Sequence, residues 1–375
     1  MTRLNLKIDI HTKDCSNASG KRRSERTARY KMRNTKYENI SIIGDGAMAT
    51  VLAMLLCEKN IGARIWGHDV EQLSQIKQDR ENKKFLPGYK LPETLVFESK
   101  DERIMADADL IVSAVPCQFM RRVWNRLKDY VPQGIPIVSV AKGIENDTLL
   151  HPTQVLADVL EEKRATSDER RATRYVVLSG PTIADELARR LPATACVACD
   201  DEKLAKDVQY TFNTDWLRIY TNTDVIGVEL AAACKNVIAI AAGVIDGAGA
   251  GDNAKAALLS RGLAEITRLG TACGARPDTF AGLAGLGDLV TTCISPKGRN
   301  RSFGERIGKG QAIEQAQRAT ESVVEGFATC KSVVALAARY DVEMPITHAV
   351  YEVLFENKPV QTAIADLMKR RLKAE

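Results

Sequence analysis

The sequence predicts an α/β domain built on a mostly parallel sheet, followed by an all-helical domain. Three observations carry this. Short, near-continuous apolar runs alternate with helical stretches up to residue 223, as strands covered on both faces by crossover helices do. From about Asp224 the alternation stops, and the rest reads as helix. At the first strand-to-helix junction stands Gly44-Asp45-Gly46-Ala47-Met48-Ala49, a G-x-G-x-x-A pattern.

Taken in order, Ile40–Ile43 is a buried strand that runs into the glycine turn and a helix over Val51–Lys59. Gly44 makes the tight turn. Gly46 removes a side chain, so backbone N–H groups can approach a pyrophosphate. The small Ala49 lets helix and strand pack closely, and the helix N-terminus offers unpaired donors. A βα turn without a ligand is the plain alternative. Further strands are expected at Ala63–Trp66, Leu95–Glu98, Leu110–Val115, Ile135–Val140 and Tyr175–Ser179, with edge strands at Ala193–Cys199 and Leu217–Tyr220. Helices are expected at Gln118–Tyr130 and Pro152–Glu162, and Glu161–Arg174 reads as a helix end and a solvated loop. In the second domain, Val225–Val244, Ala254–Cys273, Gln311–Gln317, Thr329–Arg339 and Gln361–Leu372 read as helices. The expected division is a basic, disordered tail over 1–37, a nucleotide-binding domain over 38–223 and a helical substrate and catalytic domain over 224–375.

Charge is unevenly placed. The net +5 hides a tail with eleven Lys/Arg against Asp9, Asp14 and Glu25, so the remainder is at −3. Nothing in that body suggests nucleic acid. The tail has no apolar core of a secretory signal; an organelle transit peptide is the alternative to a cytoplasmic location. No uncharged apolar run is long enough to span a bilayer, Val225–Val244 being broken by Glu229 and Lys235. Nine scattered cysteines fit free thiols in a reducing compartment, Cys196 and Cys199 included. The four histidines have no metal-ligand spacing, so no metal site is expected.

Ligands of open parallel sheets lie beyond the carboxyl ends of the strands. There stand Pro116-Cys117-Gln118, then Lys142-Gly143-Ile144-Glu145, then Gly180-Pro181-Thr182. Lys142, just past a buried strand, suits an anionic ligand or a plain surface turn. Asp69, 23 residues after Gly46, could meet a ribose hydroxyl, and His68 and Arg64 could meet a 2′-phosphate, so NAD and NADP both stay open. Lys235 sits among Ala231, Ala232, Ile238 and Ala239 on a small apolar helix face. It either snorkels to the helix edge or is desolvated and able to exchange protons near neutrality. Asp288 in Gly285-Leu286-Gly287-Asp288-Leu289 could pair with it. Arg299-Asn300-Arg301 puts donors in a turn, and with Arg306 and Lys309 leans toward phosphate.

Together these segments resemble the NAD(P)-dependent glycerol-3-phosphate dehydrogenase family. The resemblance runs in order through the glycine turn, Trp66-Gly67-His68-Asp69, Phe85-Leu86-Pro87-Gly88, Ala114-Val115-Pro116, Lys142-Gly143-Ile144-Glu145 and Ser179-Gly180-Pro181. It continues through Cys234-Lys235-Asn236-Val237, Gly285-Leu286-Gly287-Asp288-Leu289, Gly298-Arg299-Asn300 and Val324-Glu325-Gly326. It implies a Rossmann-like N-terminal domain, a helical C-terminal domain and a cleft between them. There dihydroxyacetone phosphate and sn-glycerol 3-phosphate would be interconverted by hydride transfer with NAD or NADP, feeding phospholipid synthesis. It implies Lys235 as proton donor and acceptor, with Lys142 and Asp288 beside it. Gly180, Thr182, Asn236, Thr292, Gly298, Arg299 and Asn300 would complete the substrate site. Gly44, Gly46, Ala47, Met48, Ala49, His68, Phe85, Pro116, Lys142, Ala184, Arg299, Val323 and Glu325 would face the cofactor. The partner is then a phosphorylated triose, with a homodimer as one candidate assembly. Two departures stand out. Asp45 puts an acid near the pyrophosphate path and should weaken cofactor binding unless its side chain points away. Gly298 stands where the family usually has serine, so one substrate hydrogen bond should be missing or made by backbone. The rival readings are a related 3-hydroxy acid or sugar acid dehydrogenase and a non-catalytic NAD(H) sensor.

Overall fold

A computed structural model describes residues 35–161, 174–320 and 323–372. The expected basic tail, but for its last residues, and most of the charged run after Glu161 lie outside the described residues. The α/β part runs β1 (Asn39–Ile43), α1 (Ala47–Glu58), β2 (Gly62–Trp66), α2 (Val70–Asp79), β3 (Glu81–Asn82), β4 (Leu86–Lys90), β5 (Val96–Phe97), α3 (Asp101–Met105) and β6 (Leu110–Ser113). It continues with α4 (Cys117–Leu127), β7 (Pro136–Ser139), α5 (Pro152–Glu161), β8 (Arg174–Ser179), α6 (Ala184–Ala188), β9 (Ala193–Ala198), α7 (Glu202–Phe212) and β10 (Leu217–Asn222). The helical part holds α8 (Val225–Ala248), α9 (Asp252–Ala272), α10 (Pro277–Ala281), a π-turn (Leu283–Gly287), α11 (Asp288–Ile294), α12 (Arg299–Gly308), α13 (Ile313–Arg318), α14 (Glu325–Arg339), α15 (Pro345–Phe355) and α16 (Val360–Met368).

Eight strands form one sheet in the order β10-β9-β8-β7-β6-β1-β2-β5. All neighbours are parallel except β8 and β9. Strand alternation divides the core. Ile42, Val112 and Val138 face one layer with Leu52 and Leu56 of α1, while Ile43, Ile111 and Ile137 face the other with Met120 and Trp124 of α4. Chain order reverses at β1, which pairs with β2 on one side and β6 on the other. The crevice at such a switch point is where ligands of these sheets bind.

Every expected strand is present within a few residues. The short β3–β4 hairpin and α2, α3, α6, α7, α10, α11, α12 and α15 were not named from the sequence. One expectation is corrected: α8 is long and apolar enough to cross a membrane by length and composition. It is instead the axis of the helical core, with 89% of its most apolar window buried. Its small residues allow this. The backbone of α12 crosses so closely that a Cβ on Gly304 would lie 2.0 Å from the carbonyl oxygen of Ile240, and one on Gly243 1.9 Å from that of Arg301.

Candidate active site

The glycine turn leaves β1 at the switch point. Gly44 has φ +117°, and a Cβ there would meet the carbonyl oxygen of Ala114 at 2.7 Å. Its N–H donates to the Trp66 carbonyl at 2.8 Å. A Cβ on Gly46 would meet nothing within 4 Å, so space lies open above the turn. Helix α1 begins there with no side-chain cap and no acid in its first turn, leaving its N–H groups for an anion. Ala47 and Met48 stand half-buried at its start, with Ala49 buried against β1 and its neighbours. These features fit a dinucleotide pyrophosphate.

Asp69 has a structural role at the start of α2. Its Oδ1 accepts from Glu71 and Gln72 N–H, both at 3.1 Å, and so caps α2. His68 is exposed beyond β2. Phe85 sits in the β3–β4 turn with the Lys84 ammonium 5.0 Å from its ring centroid. Pro116 precedes α4, Ala184 opens α6, and Val323 is exposed ahead of α14.

The charged centre joins both domains. Asp288, at the start of α11, is buried. Its Oδ1 accepts from Lys235 Nζ of α8 at 2.7 Å, and its Oδ2 accepts from Lys142 Nζ beyond β7 at 2.7 Å. Lys142 also donates to the Gly180 carbonyl at 3.1 Å, and so does the Thr182 hydroxyl. Gly180 has φ +139°, and a Cβ there would press on Ala195, so the position needs glycine. Lys235 is 5% exposed and donates to Thr292 Oγ1 at 2.5 Å. It does not snorkel out: α9, α11, α12 and α14 pack around its helix. Burial lowers its ammonium to about 8, helped by the Lys142 charge and opposed by Asp288. Burial pushes the Asp288 carboxyl up, but the Lys142 and Lys235 charges outweigh it and hold the group below its ordinary range. Glu325, half-buried at the start of α14, is raised by burial against the pull of Arg299, Lys142 and Lys235.

Around this centre, Asn236 Oδ1 accepts from Asn300 Nδ2 at 3.0 Å, and Asn300 Oδ1 accepts from the Gly326 N–H at 2.9 Å. Asn236 is 3% exposed, and its Nδ2 has no partner among the described residues. That donor is left for a ligand.

Two expectations for the basic run change. Arg299-Asn300-Arg301 is not a turn but the first turn of α12. Arg301 pairs with Asp246 at 2.7 Å and Glu305 at 3.3 Å, and Lys309 pairs with Glu305 at 2.6 Å. Both are structural. Arg299, exposed at the uncapped α12 N-terminus, makes no hydrogen bond or ion pair among the described residues. Gly298 also has a physical reason: a Cβ there would lie 2.9 Å from the Thr292 carbonyl oxygen.

The sequence reading gave several supporting residues no such role. Gln118 and Ser332 both donate to the Ile144 carbonyl, at 2.7 and 2.9 Å, and so fix the loop that carries Lys142. Glu229 of α8 accepts from the Thr153 N–H and hydroxyl, tying the helical domain to α5. Asp185 of α6 accepts from Tyr89 and pairs with Lys297 across the cleft. Their only sequence signal is a polar residue in an apolar stretch, which names no partner.

Two family models match the chain: the N-terminus of NAD-dependent glycerol-3-phosphate dehydrogenase over residues 39–205, and its C-terminus over 224–365. The chain belongs to the NAD-dependent glycerol-3-phosphate dehydrogenase family. It is 45% identical over 338 residues to a glycerol-3-phosphate dehydrogenase [NAD(P)+] of Chlorobium limicola, covering 90% of this chain and 99% of that one. It is 44% identical, over 90% of this chain and 99% of the relative, to the enzyme of the same name from Corynebacterium glutamicum strain R. The crystal structure of glycerol-3-phosphate dehydrogenase from Coxiella burnetii matches with a TM-score of 0.84 at 34% identity, over 89% of this chain and 99% of that one. In this family member the two matched domains meet at the Lys142–Asp288–Lys235 cluster.

Proposed function

We propose that this chain is an NAD(P)-dependent dehydrogenase that interconverts dihydroxyacetone phosphate and sn-glycerol 3-phosphate. The observation that carries the reading is Asp288 held between two lysines, one from each domain, beside an unpartnered Asn236 amide and a free Arg299.

The residues present fit a nicotinamide dinucleotide, with Gly44, Gly46 and the first turn of α1 holding its pyrophosphate. When bound, that cofactor supplies hydride to the ketone carbon or takes it from the alcohol. Arg299 and the N–H groups opening α12 bind the substrate phosphate, and that remote contact orients the carbonyl. As negative charge grows on the carbonyl oxygen, Asn236 Nδ2 and the Lys142 ammonium stabilise it. Lys235 Nζ delivers the proton to the oxygen, so one hydride on carbon and one proton on oxygen complete the alcohol and the lysine is left as the amine. Solvent then returns its proton. Asp288 orients both ammonium groups, and its charge keeps Lys235 protonated at neutral pH despite burial. Asn300 holds Asn236 in place.

In this reading the product serves phospholipid synthesis, and the enzyme works in the cytoplasm. Support for a reducing compartment comes from the eight free cysteines among the described residues. Self-association as a homodimer belongs to the same reading and is checked by light scattering. The decisive experiment is oxidation of NADH and NADPH, measured separately, with dihydroxyacetone phosphate and with dihydroxyacetone. Turnover that depends on the phosphate is expected. Equal turnover without it would favour a different hydroxy compound, and none at all would leave a nucleotide sensor.

A further inference from the structure

Asp45 stands between the two glycines of the turn, yet its carboxylate leaves the pyrophosphate path. It lies against the carboxyl end of β2, where a Cβ on Gly67 would be 2.9 Å from Oδ2 and 3.0 Å from Cγ. Glycine at 67 is what makes room for it. The residue is fixed from behind as well. Asn82 Nδ2 donates to the Asp45 carbonyl and to Thr50 Oγ1, both at 2.8 Å.

The carboxyl end of β2 is where the adenosine ribose of a dinucleotide lies on a sheet of this kind. The acid expected to meet it, Asp69, has Oδ1 committed to capping α2. Three charged or titratable groups face the Asp45 carboxylate: His68, Lys84 and Asp69. The Lys84 ammonium is engaged by Gln72 Oε1 at 2.9 Å. Burial pushes the Asp45 carboxyl up, against its own backbone N–H, His68 and Lys84. Such a carboxylate is short of donors, and a ribose hydroxyl would replace part of the lost solvation.

We propose that Asp45 selects the cofactor: it accepts a hydrogen bond from the ribose 2′-hydroxyl of NAD(H) and repels the 2′-phosphate of NADP(H). The inference rests on the dehydrogenase reading and assigns the discrimination to the glycine turn itself rather than to the acid after β2. A phosphate brought against a partly buried carboxylate costs about tenfold in affinity or more.

The test is direct binding by calorimetry, with ADP-ribose and 2′-phospho-ADP-ribose as probes, which carry no nicotinamide. Wild type should prefer the unphosphorylated probe by about tenfold or more. Asp45→Asn, which keeps the shape, and Asp45→Ala should each shrink that ratio about tenfold, chiefly by gaining the phosphorylated probe. Asp69→Asn should leave the ratio within about threefold, as its carboxylate already serves a cap. An unchanged ratio in both Asp45 variants, no preference in wild type, or collapse of the ratio in Asp69→Asn alone would overturn the assignment. The two readings fail separately. Phosphate-dependent turnover with an unchanged ratio sinks only the role of Asp45. A ratio that moves as stated, with no turnover by wild type, sinks only the dehydrogenase.

Discussion

The two walls of the cleft are built in opposite ways. The carboxyl end of the sheet binds by what it lacks: Gly44 and Gly46 carry no side chain, and α1 carries no cap, so backbone N–H groups face an anion. The helical wall works by what it buries: Lys235, Asp288 and Asn236 each have at most 5% of their surface exposed. Backbone donors are cheap to expose and insensitive to pH. Buried side-chain charges are costly and tunable, because desolvation and a neighbour shift their proton affinity. Holding a constant charge suits the first wall, and moving a proton suits the second.

The strongest way to break this contrast is Lys235→Met. Turnover should fall by about a hundredfold or more while nucleotide affinity stays, since general acid catalysis is worth that much. Steady-state rates and a nucleotide titration check it. Near-normal turnover would mean that the helical wall does not supply the proton. Next comes Arg299→Ala, which should raise KM for dihydroxyacetone phosphate by about ten- to a hundredfold, the worth of a charged hydrogen bond. A rise confined to the nucleotide KM would assign Arg299 to the cofactor.

Gly304→Ala probes how the helical wall is held. Its Cβ would collide with the Ile240 carbonyl and part α12 from α8, destabilising the fold by about 1–3 kcal/mol in urea unfolding. A neutral change would show that the close crossing is not required. The smallest effect is on pH. With Lys235 lowered to about 8, ketone reduction needs the ammonium and should weaken above that pH, while alcohol oxidation needs the amine and should strengthen toward it. Flat profiles in both directions between about pH 7 and 9 would remove Lys235 from proton transfer.

Much of this was legible from the residues. The apolar runs marked eight strands, and the glycine turn stood at the strand-to-helix junction where it was read. Lys235 stood out as a charge among alanines, and Asp288 as its candidate partner. Other features were not legible. Asp69 caps a helix because α2 begins directly after it. Arg301 turns inward to Asp246, so Arg299, not Arg301, is the guanidinium that the start of α12 leaves without a hydrogen bond or ion pair among the described residues. Lys142 joins Asp288 across 146 residues, a spacing no local pattern encodes.

The linear chain by itself determined the local preferences: which runs bury, where backbone must turn with positive φ, and which charges sit in apolar company. Those follow from side-chain chemistry over a few neighbouring positions. Only the tertiary structure decided which charge met which, which donor stayed unpaired, and where Asp45 pointed. Partner choice depends on distances between segments far apart in the chain. In a desolvated cleft those distances set both the proton affinity of a lysine and the sign of the charge that a ribose would meet.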